Sequence, residues 1–258
     1  MPASTVYMEE MDAFTYRGIL EQHNPIVFVP VGAFEQHGPH MAMCVDAALT
    51  KRMAAAVAEH VGGIVAAPII YGYKSQQRSG GGFHLSGTTS LSATTLIGIV
   101  KEIVLNLAED GVRRIVFMNG HFENYQFVFE GVDIALRELR LAGVDEVKVM
   151  LMSYWDFVDD ETIDRLYPDG FTGWDLEHAG VMETSLMLLF YPDLVDMDKV
   201  VIEPPATMPK YDILPINPDY TPASGCLSCA AAASAEKGRI LRDVATEHMV
   251  GAVLDEFK

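Results

Sequence analysis

The sequence has few cysteines and no long uninterrupted hydrophobic run. Three cysteines in 258 residues are an odd number and too few for a disulfide framework, which favours a reducing compartment. No apolar stretch approaches the roughly 18 residues that a membrane-spanning helix needs, and the N-terminus lacks the charged and apolar regions of a signal peptide. We therefore expect a soluble, cytoplasmic protein rather than a disulfide-rich secreted domain or a membrane protein.

Positive charge is also scarce, because 18 Lys and Arg stand against 36 Asp and Glu, a formal net charge of -18. So acidic a chain repels the phosphates of nucleic acids and anionic membranes, and we expect neither as a partner. Half of the residues are hydrophobic, which is enough for one large domain with its own core. The sequence predicts a single domain over residues 1–258 that acts on a small molecule.

Short apolar runs alternate with helical patterns along the chain. The runs that predict buried strands lie at 26–31, 64–70, 113–118 and 147–152. The main helical patterns lie at about 47–61, 92–109, 125–141 and 227–257, the last with an expected break at Gly238. Strands that alternate with helices form parallel sheets covered on both faces. The predicted fold is therefore an α/β domain with a doubly wound, mainly parallel central sheet.

Polar, glycine-containing segments follow the first and third predicted strands. The pair Glu35-x-His37 follows the first strand, and the reciprocal pair His121-x-Glu123 follows the third. In extended backbone, residues two apart point to the same side. Because the carboxyl ends of parallel strands meet at one edge of the sheet, where α/β proteins place their sites, the two pairs predict one shared site.

The side chains of this predicted site are of metal-binding types. Imidazoles and carboxylates suit Zn²⁺ or Mn²⁺, and five ligands are too many for one catalytic zinc with an open position. Two divalent ions, three carboxylates and a bridging hydroxide balance in charge, and such a hydroxide is a nucleophile for hydrolysis. Taken alone, each residue could be an ordinary polar group, and Asp46 could be a helix N-cap. The five predicted ligands are Glu35, His37, Asp46, His121 and Glu123.

Three blocks of the sequence form a distinctive set. They are Glu-Gln-His-Gly-Pro-His at 35–40 with Asp46, Asn-Gly-His-Phe-Glu-Asn at 119–124, and His-Ala-Gly-Val-Met-Glu-Thr-Ser at 178–185. Together they resemble the signature blocks of the creatininase (creatinine amidohydrolase) family. Further blocks at 72–77, 153–157 and 173–175 extend the similarity over nearly the whole chain. The resemblance implies a three-layer α/β/α subunit, a homohexamer, and two divalent ions per subunit, either both zinc or one of them manganese.

The resemblance also implies how the five ligands divide between the ions. Glu35 and His121 would hold one ion, His37 and Glu123 the other, and Asp46 would bridge the two. The implied activity is that of a metal-dependent amidohydrolase that opens the ring of creatinine to creatine with a metal-bridging hydroxide.

Other residues take their expected roles from the same resemblance. His178 and Glu123 are the catalytic candidates, with His178 matching the family's proton-transfer histidine. Trp155 and Trp174 match the aromatic side chains around the substrate ring, and Phe122, the third predicted substrate-binding residue, stands where a tyrosine is usual. Taken alone, the tryptophans could equally be core or interface residues, and His178 a structural histidine.

Two alternatives for the function stay open. One is hydrolysis of another small substrate of the family, such as a formamide or a cyclic polyol ketone such as an inosose. The other is a non-catalytic assembly protein with structural metals, which the sulfur-free ligand set disfavours, since structural zinc sites are normally closed and rich in sulfur.

Three further segments have weaker patterns. The glycine-rich segment 71–84 lacks a phosphate-binding motif and is expected to be a mobile or oligomer-contacting loop. The proline-rich segment 203–222 predicts an extended packing arm. Cys226 and Cys229 have Cys-x-x-Cys spacing but no second cysteine pair, so neither a redox role nor a zinc role is assigned to them.

Overall fold

The computed structural model describes residues 5–258 and contains a four-stranded parallel sheet with the strand order β2-β1-β3-β4. Because the strands are parallel, their carboxyl ends lie at the same edge. None of the helices described is both long and apolar enough to cross a membrane. The strands are β1 (Ile26–Val31), β2 (Ile64–Val65), β3 (Arg114–Asn119) and β4 (Lys148–Ser153).

Helices cover both faces of the sheet. On one face, Val27 and Val29 of β1 pack in a hydrophobic cluster with residues of α4 and α5. On the other, Phe28 joins a cluster with residues of α2, α7 and α8. The predicted three-layer α/β/α architecture is confirmed. The helices of the described chain are α1 (Ala13–His23), α2 (Val45–Val61), α3 (Gln77–Gly80), α4 (Ala93–Glu109), α5 (Tyr125–Leu141), α6 (Asp160–Leu166), α7 (Val181–Phe190) and α8 (Ala235–Glu256).

The second strand is shorter than predicted. β2 ends at Val65, and beyond it Ile69 alone forms a single bridge to Val31. Pro68 lies between these two points and has no N–H to donate to the sheet. The apolar run 64–70 was therefore only partly a strand.

The predicted break of the last helix at Gly238 is wrong. α8 begins behind Ser234, whose side chain accepts a hydrogen bond from Lys237 N, and it continues through Gly238 to Glu256. Gly238 is buried against α7, where a Cβ would overlap the carbonyl oxygen of Ser185. Glycine at this position allows α7 and α8 to approach closely, and it does not interrupt the helix.

Candidate metal centre

The two polar segments meet because β1 and β3 are neighbours in the sheet. Val31 is level with Asn119, and Gly120 N donates a hydrogen bond to Val31 O at 2.8 Å. Gly120 also lies against α2, where a Cβ would overlap Thr50 Oγ1. The close approach brings the first turn of α2, which carries Asp46, next to both strand ends.

One group of possible ligands consists of Glu35, Asp46 and His121, all buried. His121 Nδ1 lies 3.2 Å from Glu35 Oε1 and 3.1 Å from Asp46 Oδ2. The other ring nitrogen, Nε2, lies 3.2 Å from Tyr73 O. An outer partner of this kind fixes the ring and leaves the inner nitrogen free to bind an ion.

A second group consists of His37, Asp46 and Glu183. His37 Nε2 lies 3.0 Å from Asp46 Oδ1 and 3.6 Å from Glu183 Oε2. His37 Nδ1 faces the carbonyl oxygen of Glu35 at 3.2 Å, so its Nε2 is the free nitrogen. Asp46 presents one oxygen to each imidazole and belongs to both groups, the position of a bridging ligand.

The residues present fit divalent metal ions. His37 Nε2 and Asp46 Oδ2 are buried and have no partner of hydrogen-bonding geometry within residues 5–258, despite their short distances to other polar atoms. Buried polar atoms without partners are costly, and binding of a cation would satisfy both. Imidazole and carboxylate ligands without sulfur are typical of catalytic zinc and manganese sites.

The acidic and basic side chains of the two groups shift one another's pKa. Burial opposes ionisation of Asp46, but the imidazoles of His37 and His121 outweigh it and lower the pKa of the carboxyl. Burial likewise disfavours a charged His37, yet the carboxylates of Glu183 and Asp46 raise its pKa well above the ordinary value. The pKa of His121 is raised in the same way by Glu35 and Glu123, against its burial. The buried carboxylates thus favour positive charge on the two imidazoles.

Glu123 lies behind His121 and outside both groups. Its Oε2 is 3.2 Å from His121 Nε2, while its Oε1 accepts hydrogen bonds from Ser79 Oγ at 2.6 Å and Gln76 N at 2.7 Å. Ser79 and Gln76 belong to the glycine-rich segment 71–84, which thus contributes to the site. Burial raises the pKa of the Glu123 carboxyl, although His121 opposes the shift.

The candidate proton donor His178 is buried just before α7. Its ring centre is 4.3 Å from that of His37, and its Nδ1 is 3.7 Å from Glu35 Oε1. Its Nε2 lies 3.0 Å from Gln36 O. His178 also forms a third possible ligand group with Glu35 and His37, all three buried, so the structure brings it to the candidate metal centre.

A small open cleft lies above these groups. Its walls include Trp155, which follows β4, and Trp174, and Phe122 stands at its rim with 53% of its surface exposed. Trp174 packs edge to face on Phe171, with ring centres 5.2 Å apart. All three aromatic residues predicted to bind substrate thus line one cleft with His178, Glu35 and Asp46.

Glu183 was not among the five ligands predicted from the sequence, although the block 178–185 includes it. The available signal was that Glu183 is the only charged residue of α7. Asp46, in turn, is not a helix cap, because Cys44 occupies the N-cap position of α2 and Asp46 lies in its first turn.

Cys226 and Cys229, the cysteines with Cys-x-x-Cys spacing, do not form a disulfide. Both are free thiols, and Cys226 is buried where its sulfur fills the space above Gly38, next to His37. Within residues 5–258, none of the possible three-ligand groups includes a cysteine.

Comparison with known proteins gives the same picture over the whole chain. Residues 9–253 match the family model for creatininase, creatinine amidohydrolase. The creatinine amidohydrolase of Pseudomonas putida is 51% identical over 256 residues, which cover 99% of this chain and 98% of that protein.

Solved structures agree closely with the fold. A crystal structure of creatinine amidohydrolase (creatininase) matches with a TM-score of 0.97 and 51% identity, covering 99% of each chain. A mutant creatininase complexed with creatine matches with a TM-score of 0.95 and 51% identity over 98% of this chain and 99% of that chain. Other matching creatininases are a Zn-Zn type and an Mn form. From its sequence, its fold and these relatives, the chain belongs to the creatininase family.

Proposed function

We propose that this protein opens the ring of creatinine to give creatine at a pair of divalent metal ions. The observation that carries this proposal is that Asp46 belongs to two groups of possible ligands at the base of an aromatic cleft. The identity to a creatinine amidohydrolase over 99% of the chain supports the choice of substrate.

Glu35 and His121 would hold one ion, His37 and Glu183 the other, and Asp46 would bridge them. Zinc or manganese ions at these positions would polarise a carbonyl group and lower the pKa of a water molecule. The resemblance instead gave Glu123 to the ion of His37, and that assignment stays a prediction. The position of Glu123 behind His121 supports a role in orienting the imidazole and in proton transfer.

The remaining side chains bind and protonate the substrate. Creatinine is a small flat ring, so the faces of Trp155 and Trp174 supply contact area and orientation. His178 lies beside Glu35 and is placed to donate a proton to the ring nitrogen that departs as the amide bond breaks.

We expect the subunits to assemble into a homohexamer, as the resemblance implies. We also expect the protein to be cytoplasmic, as its cysteine content favours. Apolar side chains on the proline-rich segment 203–222 and just before it support assembly, because Leu214 and Ile202 are each 76% exposed. Light scattering of the purified protein tests this expectation.

The substrate is tested directly by incubating the zinc- or manganese-loaded protein with creatinine and following creatine by NMR. A formamide panel and a cyclic polyol ketone serve as rival substrates. We expect creatine to form and the rivals to remain. Turnover of a rival without creatine formation would contradict the proposed substrate, and loss of all activity on chelation with assembly retained would exclude a non-catalytic scaffold.

A further inference from the structure

We propose that His40 is a positioning residue that holds Glu183 in place for metal binding through a hydrogen bond to Thr184. His40 is the last residue of the block 35–40, and it belongs neither to the possible ligand groups nor to the wall of the cleft. The inference rests on the proposed function, in which Glu183 binds the ion at His37.

The hydrogen bond joins two segments that are 144 residues apart in the chain. His40 Nε2 lies 3.0 Å from Thr184 Oγ1, and the two residues are 1% and 0% exposed. A threonine hydroxyl can both donate and accept, so the bond forms whichever ring nitrogen carries the proton. Because bulk water does not reach this depth, removing one partner leaves the other polar atom unpaired, which is costly.

The ring of His40 is packed so that its Nε2 faces α7. The other ring nitrogen, Nδ1, lies toward Gly38, where an added Cβ would come within 3.0 Å of it. Gly38 has a φ of 70°, which glycine adopts without strain, and its missing side chain leaves room for the ring. Nδ1 is buried and has no hydrogen-bond partner within residues 5–258. In the described chain, the bond to Thr184 is thus the single hydrogen bond of this side chain.

The backbone of His40 is anchored separately from its side chain. Its carbonyl oxygen accepts a hydrogen bond from Asp196 N at 2.8 Å, beyond the end of α7. Thr184, by contrast, lies near the start of α7, next to Glu183. The backbone bond therefore holds the far end of the helix, and the side-chain bond holds the end that carries the ligand. Loss of the imidazole leaves the backbone bond in place.

The carboxylate of Glu183 moves with the start of α7. Its Oε2 accepts a hydrogen bond from Ala179 N at 2.7 Å and lies 3.6 Å from His37 Nε2. Zinc–carboxylate bonds are about 2.0–2.2 Å long, so a small shift of the helix start changes whether Glu183 can bind the ion at His37. Partners that orient a metal ligand typically contribute about 10- to 100-fold in metal affinity.

The test is a double-mutant cycle on zinc affinity, measured by titrating the metal-free proteins in competition with a chromophoric chelator. Thr184→Val removes the hydroxyl and keeps the shape of the side chain, and His40→Leu removes the ring nitrogens. Each change should weaken one of the two zinc ions by about 10- to 100-fold. The double variant should lose about as much as either single variant, because both remove the same bond. Wild-type affinity in Thr184→Val, or full additivity, would overturn the proposal.

His40→Gln tests whether a conservative change restores the bond. The glutamine amide can donate or accept near the position of Nε2, so this variant should bind zinc more tightly than His40→Leu. Equal weakening in the two variants would contradict a role for the hydrogen bond.

Ser185→Ala is the matched control on the same helix. Ser185 is also 0% exposed, and its Oγ accepts a hydrogen bond from Ser234 N at 3.1 Å on the side that faces α8. Its loss should lower the free energy of unfolding but leave both zinc affinities unchanged. An equal loss of zinc affinity in Ser185→Ala would show a general effect of α7 stability and would refute the positioning role.

Glu183→Gln separates this inference from the proposed ligand assignment. If Glu183→Gln binds both ions as tightly as the wild type, the assignment of Glu183 as a ligand fails, and the inference fails with it. If Glu183→Gln loses affinity and Thr184→Val does not, the ligand assignment stands and the role of His40 alone is refuted.

Discussion

Glu183 and Glu123 should affect metal binding in different ways, although both are glutamates of the same cleft. The matched changes are Glu183→Gln and Glu123→Gln, which remove one charge each and keep the size of the side chain. Glu183 belongs to the group of His37 and Asp46, whereas Glu123 contacts the outer nitrogen of His121. Glu183→Gln should weaken binding of the ion at His37, and Glu123→Gln should weaken binding of the ion at His121.

The expected magnitudes follow from these positions. Removing one member of a buried charged pair costs about 3–5 kcal/mol, which corresponds to a loss of about 10²- to 10⁴-fold in affinity. An outer partner of a ligating histidine typically contributes about 10- to 100-fold. Glu183→Gln should therefore bind one ion weakly under conditions in which Glu123→Gln still binds two.

The assay is a zinc titration of the metal-free proteins in competition with a chromophoric chelator, combined with elemental analysis. Combining each change with His37→Ala identifies the ion concerned. The losses of binding free energy from two changes at the same ion are not additive, whereas losses from changes at separate ions are nearly additive. Glu183→Gln should be non-additive with His37→Ala. If Glu123→Gln couples to His37→Ala and Glu183→Gln does not, the ligand assignment drawn from the geometry is wrong, and the one drawn from the resemblance is right.

The remaining predictions concern proton transfer, substrate binding and pH. His178→Ala should keep both ions and lose about 10²- to 10⁴-fold in turnover, and full turnover would return His178 to a structural role. Trp174→Ala should raise KM or lower turnover for creatinine at unchanged metal content; unchanged kinetics would remove Trp174 from the binding site. If the site has a polar partner for a hydroxyl, Phe122→Tyr should improve creatinine turnover, since an unpaired buried partner costs about 1–3 kcal/mol; no change would exclude such a partner. Burial raises the pKa of Glu177 from 4.5 to about 8, so the folded protein keeps a proton that the unfolded chain releases. Between these two pH values the free energy of unfolding should fall with rising pH, by up to about 1.4 kcal/mol per pH unit. In urea unfolding at equal metal loading, the Glu177→Gln variant should lack this contribution to the pH dependence. Equal pH dependence in the variant and the wild type would show that Glu177 is ionised in the folded state.

Much of the fold follows from local patterns in the sequence. β1 and α5 have the predicted bounds, because a six-residue apolar run and a long amphipathic pattern each suit one kind of secondary structure. α2 ends at Val61, and its C-cap residue Gly62 has a φ of 68°, as the glycine pair 62–63 predicts. The predictions failed where a tertiary contact decided the outcome, as at Gly238, which is buried against Ser185.

The sequence by itself determined the chemical types at the site and the resemblance to a family. Glu-x-His and His-x-Glu after two strands predict carboxylate and imidazole ligands at one edge of a sheet, and the structure brings them together because β1 and β3 are neighbours. Only the tertiary structure decided which ligands share a group. Glu183 reaches His37, and Glu123 turns toward the outer side of His121, because the packing of α7 and of segment 71–84 sets where each carboxylate points. Contacts between residues so distant in the chain leave no periodic pattern in the sequence.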